Sequence, residues 1–438
     1  MKSSHLLLFL MFLTIPITAQ KKLGLKEAIS IALNKNTTLL KTTNSLQSSE
    51  SNVKTAVGNF LPSIGANAGW QYTKTENDVN GFTLRSDSRS YSAGIGANWT
   101  LFDGLSNFAA LSKSKNELEA ARYDLDRLKQ DIVFQTIALY YDVINIMQLL
   151  KFKEDDVKWN KKNLETITER NRLGSVTLAD VYAQQVRVGS AELEVIRTQN
   201  NLETSKSELL SFLGLDVLES FEFTDTLFIG EIEKIKTELA LDYKNLTDLV
   251  EKALQNRFDY KSALLNLNSA EDGITIARSG HLPTLTNSIN YEIGADKISN
   301  IFDNRSFSVG LSLNIPIFSG FSVENRVQLA EVLAENRRIE ITELERSIKK
   351  SIQKTYLDLQ AAEKALKVSE KSVLAAQENL KIESEKYALG AGTLLNVLVA
   401  NSEFTNAQTN FTNAQFAYLT LSEQLKYYLG VLDFKNFE

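Results

Sequence analysis

The sequence predicts a mainly α-helical protein built as two tandem repeats, with a small membrane β-barrel portion to which each chain gives four strands. Three observations carry that prediction. Several stretches alternate apolar with small polar residues over a membrane-crossing length, two segments of 69 residues contain neither glycine nor proline, and matching residues recur at fixed spacings along 438 positions.

Taken in order, the first element is MKSSHLLLFLMFLTIPITAQ, with a basic Lys2, an apolar core from Leu6 to Ile17 and small Thr18 and Ala19 before Gln20. That layout predicts a secretory signal over residues 1–19. The chain has no cysteine, so no N-terminal cysteine follows the signal to carry a lipid. No later segment reads as apolar enough to span a bilayer as a helix. A helix is then expected from about Leu25 to Asn59.

The strands come next. In Tyr91 to Leu101 the residues Tyr91, Ala93, Ile95, Ala97, Trp99 and Leu101 alternate with Ser92, Gly94, Gly96, Asn98 and Thr100. A period of two gives a strand with one apolar face. The pattern returns in Ile64 to Tyr72 and in Phe307 to Ile317, and more weakly from Leu285 to Ile293, where Asn287 interrupts the face. Strands are expected at about 62–73, 90–101, 283–293 and 306–317, joined by polar loops at Thr73 to Arg89 and Ala295 to Arg305. Nine to eleven residues cross a bilayer when tilted. Aromatic residues lie near the ends, Trp70, Tyr72 and Tyr91 at one and Trp99, Phe102 and Phe318 at the other, as in an interfacial girdle. A soluble sandwich explains any one such strand, whereas four in two hairpins favour a barrel. Four strands cannot close, so copies must share it: two would give eight strands and three would give twelve.

After each second strand comes a long segment without helix breakers, 105–173 and 321–389, which at ~1.5 Å per residue reaches ~105 Å as one helix. Leu118, Leu125, Ile132, Leu139 and Ile146 recur every seven residues in the first, a coiled-coil seam. A glycine turn leads into a shorter helix, 175–213 or 391–429. The repeats match with an offset of 216, as in Gly104 and Gly320, Leu173-Gly174 and Leu389-Gly390, and Leu213-Gly214 and Leu429-Gly430. Earlier the offset is 221, as in Leu61-Pro62 and Leu282-Pro283. The organisation is therefore signal 1–19, first repeat 20–214, linker 215–241 and second repeat 242–438, whose first helix is expected over about 246–279.

Composition narrows the function. Without cysteine, and with only His5 and His281, thiol chemistry, Cys/His metal sites and histidine triads have no material, and no cofactor is implied. A net charge of −6 with interspersed signs offers no basic face to nucleic acid. Gly94-Ile95-Gly96 is too little for a nucleotide fingerprint, because no helix follows it. Paired carboxylates for a glycosidase show no distinctive constellation. A stand-alone porin would not need the long helices, and a coiled-coil surface stalk would not need the strands.

Together these features resemble the TolC-like outer-membrane efflux channel family. The most specific marks are Leu-Phe-Asp-Gly (101–104), Ile-Phe-Ser-Gly (317–320) and the helix turns at 172–181 and 388–397. The resemblance implies a homotrimer with a 12-stranded barrel in the outer membrane of a Gram-negative bacterium and a helical tunnel through the periplasm. It also implies a periplasmic adaptor and an inner-membrane pump as partners, and outer-membrane lipid around the barrel. Tyr387 matches the family's gate tyrosine and Asp180 its acidic partner. Gly392 stands at the gate arginine, Asn396 and Val399 replace two aspartates, and Ala179 replaces a threonine. The family's full lock is thus absent, so closure is either looser or uses other residues, such as Asn396 or Arg172. Asp180 and Asn396 can equally be helix caps. Leu173, Gly174, Ser175, Leu389, Gly390 and Ala391 match the tips offered to an adaptor. Asp142 and Asp358 share one heptad position, on a solvated outer face or toward the lumen.

Overall fold

The computed structural model describes residues 21–79, 81–224 and 245–437. The signal and most of the linker, residues 225–241, lie outside the described residues. In chain order the elements are β1 (Lys21–Leu23), α1 (Leu25–Lys35), α2 (Thr37–Gly58), β2 (Ser63–Val79), β3 (Phe82–Phe102), α3 (Ser106–Arg172), α4 (Leu178–Leu213) and β4 (Phe221–Phe223). The second repeat follows with α5 (Leu246–Asn256), α6 (Phe258–Arg278), β5 (Thr284–Ala295), β6 (Asn304–Asn314), α7 (Ser322–Ala388) and α8 (Leu394–Tyr428).

Both long helices, α3 and α7, run 67 residues, about 100 Å at 1.5 Å per residue. Each begins at a corner of two successive left-handed residues, Gly104 and Leu105 (φ 68° and 71°) or Gly320 and Phe321 (φ 61° at both). That pair turns the chain out of a strand and into a helix. The helix before each hairpin is not continuous, as the sequence suggested, but breaks at Asn36 and at Arg257. Asn36 accepts from the backbone N–H groups of Thr38 and Leu39, so it caps α2 and ends α1.

α3 packs antiparallel beside α4 and beside α6, with α2 against its lower part, and α7 pairs likewise with α8 and α6. The main core sits where the two repeats meet. Leu23, Tyr140, Leu209, Leu249, Ile352 and Leu425 are fully buried there. The Tyr140 hydroxyl donates to the Leu23 carbonyl at 3.0 Å, and β1 and β4 form a small parallel pair. Contrary to the sequence reading, α3 does hold an 18-residue window apolar enough to span a membrane; it is 44% buried within the chain. Ile132, Val133, Ile137 and Ile144 are part of that core.

The four remaining strands form one antiparallel sheet in the order β2-β3-β5-β6, with β2 and β6 as open edges. Its register joins Ala66 to Ile95, Ile95 to Tyr291 and Tyr291 to Phe307, so the apolar residues of all four strands share a face. That face is bare: Ile64, Trp70, Phe307 and Leu311 are each at least 63% exposed. The opposite face carries Asn67, Ser92, Asn98, Ser288, Asn290 and Ser308. Trp70 stands directly opposite Tyr91 at one end. At the other, the Trp99 indole donates to the Phe60 carbonyl at 2.8 Å.

Two boundaries differ from the sequence reading. The stretch expected as a loop, Thr73 to Arg89, is mostly strand: β2 and β3 continue to Val79 and Phe82 in unbroken register. Asn-Gly between them is the pair favoured in tight hairpins, and Gly81 has φ +82°. β6 stops at Asn314 rather than 317, where Pro316 brings a residue without an N–H. Phe318 therefore lies past the strand and packs edge-on against Phe321, ring centroids 5.6 Å apart.

Candidate functional site

The two helical hairpins end in turns built alike. In the first, Ser175 N–H donates to the Arg170 carbonyl at 2.8 Å and Gly174 N–H to Asn171; in the second, Ala391 donates to Lys386 at 2.9 Å and Gly390 to Tyr387. These bonds satisfy the last carbonyls of α3 and α7, and they require a left-handed residue, Gly174 at φ 72° and Gly390 at φ 76°. The turns push Leu173 and Leu389 into solvent, 71% and 84% exposed. Both leucines are thus displayed at the surface and take no part in the core of the chain.

The next helix starts differently in each. Thr177 accepts from the Asp180 N–H at 3.2 Å, and the Asp180 carboxylate accepts from Thr177 N–H at 2.9 Å and from its hydroxyl at 2.7 Å, a complete capping box. In the second hairpin Thr393 accepts from Asn396 N–H at 3.3 Å without the reciprocal bond. The Asn396 side chain turns to Glu383 instead. There the hydrogen bond from Lys386 (2.6 Å), opposed by desolvation and aided by Asn396, holds the Glu383 carboxyl below the ordinary range.

Asp180 and Tyr387 are not joined. The Asp180 carboxylate is engaged by Thr177, and the buried Tyr387 hydroxyl has no hydrogen-bond partner within the chain. Tyr387 is held by Arg170, whose guanidinium carbon lies 4.7 Å from the ring centroid and whose Nη1 donates to the Tyr387 carbonyl at 3.4 Å. Gly392 is part of the same packing. A Cβ there would lie 3.1 Å from Lys386 Cβ and 3.1 Å from the Tyr387 nitrogen, so an arginine does not fit without a shift of the turn. Arg172 bonds Glu169 of its own helix at 2.9 Å.

Behind the tips, Ile167, Val181, Leu394 and Leu398 form a small buried cluster that bridges the two hairpins. Above it lies a polar tie that the sequence reading did not single out. The Asn401 amide donates to the Asp156 carboxylate at 2.7 Å, Asn160 donates to the same carboxylate at 3.1 Å, and Gln184 donates to the Asn160 carbonyl at 2.9 Å. Gln184 is fully buried, and Asn160 and Asn401 nearly so. The only sequence signal was the Asn and Gln content of the shorter helices. Asp142 accepts from Ser205 at 2.6 Å and Asp358 from Lys354 at 2.7 Å, so each is engaged within its own repeat.

An open four-stranded sheet with one bare apolar face and one polar face, continued by two ~100 Å helical hairpins, defines the class: an outer-membrane channel subunit with a long helical extension. The chain belongs to the outer membrane efflux protein family, whose sequence profile matches residues 28–215 and 249–431. It is 23% identical over 388 residues to the outer membrane protein TolC of Escherichia coli strain K12, covering 85% of this chain and 75% of that protein. It is 20% identical over 373 residues to the alkaline protease secretion protein AprF of Pseudomonas aeruginosa, covering 83% and 75%. Among solved structures it superimposes on the outer membrane protein VceC of Vibrio cholerae with a TM-score of 0.80 at 20% identity, covering 93% of this chain and 96% of that one. It is an efflux channel of the Gram-negative outer membrane.

Proposed function

We propose that three copies of this chain form the passive exit duct of a tripartite export machine, with an adaptor and an inner-membrane pump docking at the glycine turns. The observation that carries the reading is the four-stranded sheet, apolar on one face and unpaired at both edges. In lipid an open edge leaves backbone groups without partners, so the strands must be completed by other copies. Surface area supports this: the chain exposes 27784 Å², whereas a compact monomer of its 49.0 kDa exposes about 17,000 Å².

In this reading Leu173, Gly174 and Ser175, with Leu389, Gly390 and Ala391, are the adaptor's seat. The resting gate is held by Arg170 on Tyr387 and by Asp156 on Asn401, which tie the first hairpin to the second. Docking favours the untied state by binding it more tightly. The capping box fixes the place of the Asp180 charge, and three such charges near the axis favour cations at the narrow end. The duct performs no chemistry of its own.

Electron microscopy of the detergent-extracted protein is the direct test. A threefold tube ~140 Å long is expected, the sum of ~100 Å helices and a barrel ~30 to 40 Å tall. A compact particle, or a rod without a detergent belt, rejects the reading. Aspartate at both Leu173 and Leu389 is expected to abolish export while leaving assembly intact; unimpaired export removes the tips from the adaptor's seat.

A further inference from the structure

We propose that Glu292 sets the ion preference of the membrane end of the duct; the inference rests on the barrel reading above. The register of the sheet decides which side chains share a face. Glu292 stands opposite Gly94, and Gly94 opposite Asn67. All three lie on the face away from Trp70, Tyr91, Ile289 and Val309, which is the lumen side of a closed barrel.

Along that face β2 shows Ser63, Asn67 and Gln71, β3 shows Ser90, Ser92 and Asn98, and β5 and β6 show threonine, serine, asparagine and glycine. Glu292 is the one charged residue on it among the four described strands. The other charges of the sheet, Lys74, Glu76, Asp78, Arg85, Asp87, Arg89 and Arg305, fall on the opposite parity, the first six at or beyond the level of Tyr72 and Arg305 at the start of β6 on the row of Ile293 and Ala93.

The wall is shaped around this carboxylate. A Cβ on Gly94 would lie 3.1 Å from Glu292 Cγ and 3.1 Å from Asn67 Oδ1, and one on Gly96 would lie 2.5 Å from Asn290 Oδ1. The two glycines thus leave a recess over which Glu292, Asn290 and Asn67 lie along the wall. The Glu292 side chain is exposed and makes no salt bridge with any described residue. Its charge is therefore not cancelled at the lumen surface, and a trimer sets three of them at one level.

A charge on a water-filled wall acts over a screening length of ~30 Å at 0.01 M salt but only ~3 Å at 1 M. Cations of any kind are favoured at low salt, and the preference fades as salt rises. Eight strands leave an interior filled by side chains and sixteen leave an open channel, so twelve give a lumen that the low-salt field spans and the high-salt field does not.

The test uses the full-length protein in planar bilayers under a KCl gradient. Glu292→Gln is expected to lower the cation-to-anion permeability ratio at least ~2-fold near 0.01 M and to leave it unchanged near 1 M. Because the chain has no cysteine, Glu292→Cys offers a second arm on assembled protein. A negatively charged thiol reagent should restore the ratio and a positively charged one should push it toward anions, whereas Ile289→Cys, on the lipid side, should not react. An unchanged ratio at low salt after Glu292→Gln, or after labelling Glu292→Cys with the positive reagent, overturns the proposal and leaves the barrel intact. A reactive Ile289→Cys beside an unreactive Glu292→Cys reverses the faces, and the barrel reading falls with the proposal.

Discussion

The two repeats join their helices by the same joint made of different side chains. In the first, the Asn36 amide donates to the Phe212 carbonyl at 2.9 Å; in the second, Arg257 at the matched position donates to the Tyr428 carbonyl at 3.1 Å. Each bond ties the break between two stacked helices to the end of the repeat's last helix. Beside it a glycine with positive φ, Gly214 or Gly430, lies against that break. An added Cβ would meet the Lys35 carbonyl oxygen at 2.7 Å or the Arg257 nitrogen at 2.9 Å. The comparison teaches that duplication kept the backbone geometry and the place of the bond, while the group that makes it was free to change.

The difference has a cost on one side only. Arg257 is buried and needs Asp259, which accepts from its guanidinium at 2.9 Å and again more closely. Asn36 is neutral and completes its bonding with the backbone of its own helix. The largest effect is therefore expected for Arg257→Ala, which leaves Asp259 half-buried without its partner and lowers stability by about 3 kcal/mol. Asn36→Ala should cost about 1 to 2 kcal/mol, a lost cap and one hydrogen bond. Thermal unfolding of the detergent-solubilised protein compares the two; equal losses would mean that the charge pair adds nothing to the joint.

Gly214→Ala and Gly430→Ala stand between these two, each about 2 to 3 kcal/mol, from a left-handed alanine plus a contact with backbone that cannot yield. The tip glycines sharpen the point. Gly174 and Gly390 have the same φ but nothing within 4 Å of an added Cβ, so alanine there should cost only about 1 kcal/mol of backbone strain. At the tips, Thr177→Ala should cost about 1 kcal/mol and Thr393→Ala about half that, because only the first removes a closed capping box.

The smallest effect is pH dependence at the second joint. Burial raises the Asp259 carboxyl, but the hydrogen bonds and charge of Arg257, with Arg127, outweigh it and hold the group below its usual value. A carboxyl lowered on folding stabilises at pH above its unfolded pKa, and that stability is lost as pH falls through the folded value, so the loss should appear below about pH 4. Arg257→Gln should flatten the acid limb, whereas Asn36→Ala should leave its slope unchanged.

The larger pattern was legible in the sequence because it depends on periodicity. Alternation placed the apolar face of β3 and β6, and the breaker-free segments came within a residue of the ends of α3 and α7. What was missed depends on single side chains acting at a distance. The Asn36 and Arg257 breaks carry no glycine or proline and become intelligible only with the Phe212 and Tyr428 carbonyls beside them. The tie from Asp156 to Asn401 spans 245 positions, with no local pattern to announce it. At the tips, the glycine turns and exposed leucines were readable, whereas the packing of Arg170 on Tyr387 was not, since the resemblance paired Tyr387 with Asp180 and no local pattern links it to a residue 217 positions away. One miss was avoidable: Asn80-Gly81 between alternating residues signals a hairpin, and the polarity of Thr73 to Arg89 masked it.

That longer hairpin has a consequence of its own. β3 pairs with β5 only as far as Tyr91, so nine further residues, about 30 Å of strand, rise as a two-stranded ribbon with no neighbour in the chain. The helices leave from the other end of the strands, which puts the ribbon on the outward side of the cell, its turn at Gly81 standing in open space. An antibody raised against this ribbon is expected to bind intact bacteria. A short peptide spliced in at this turn would be displayed to the medium without disturbing either the barrel wall or the duct beneath it.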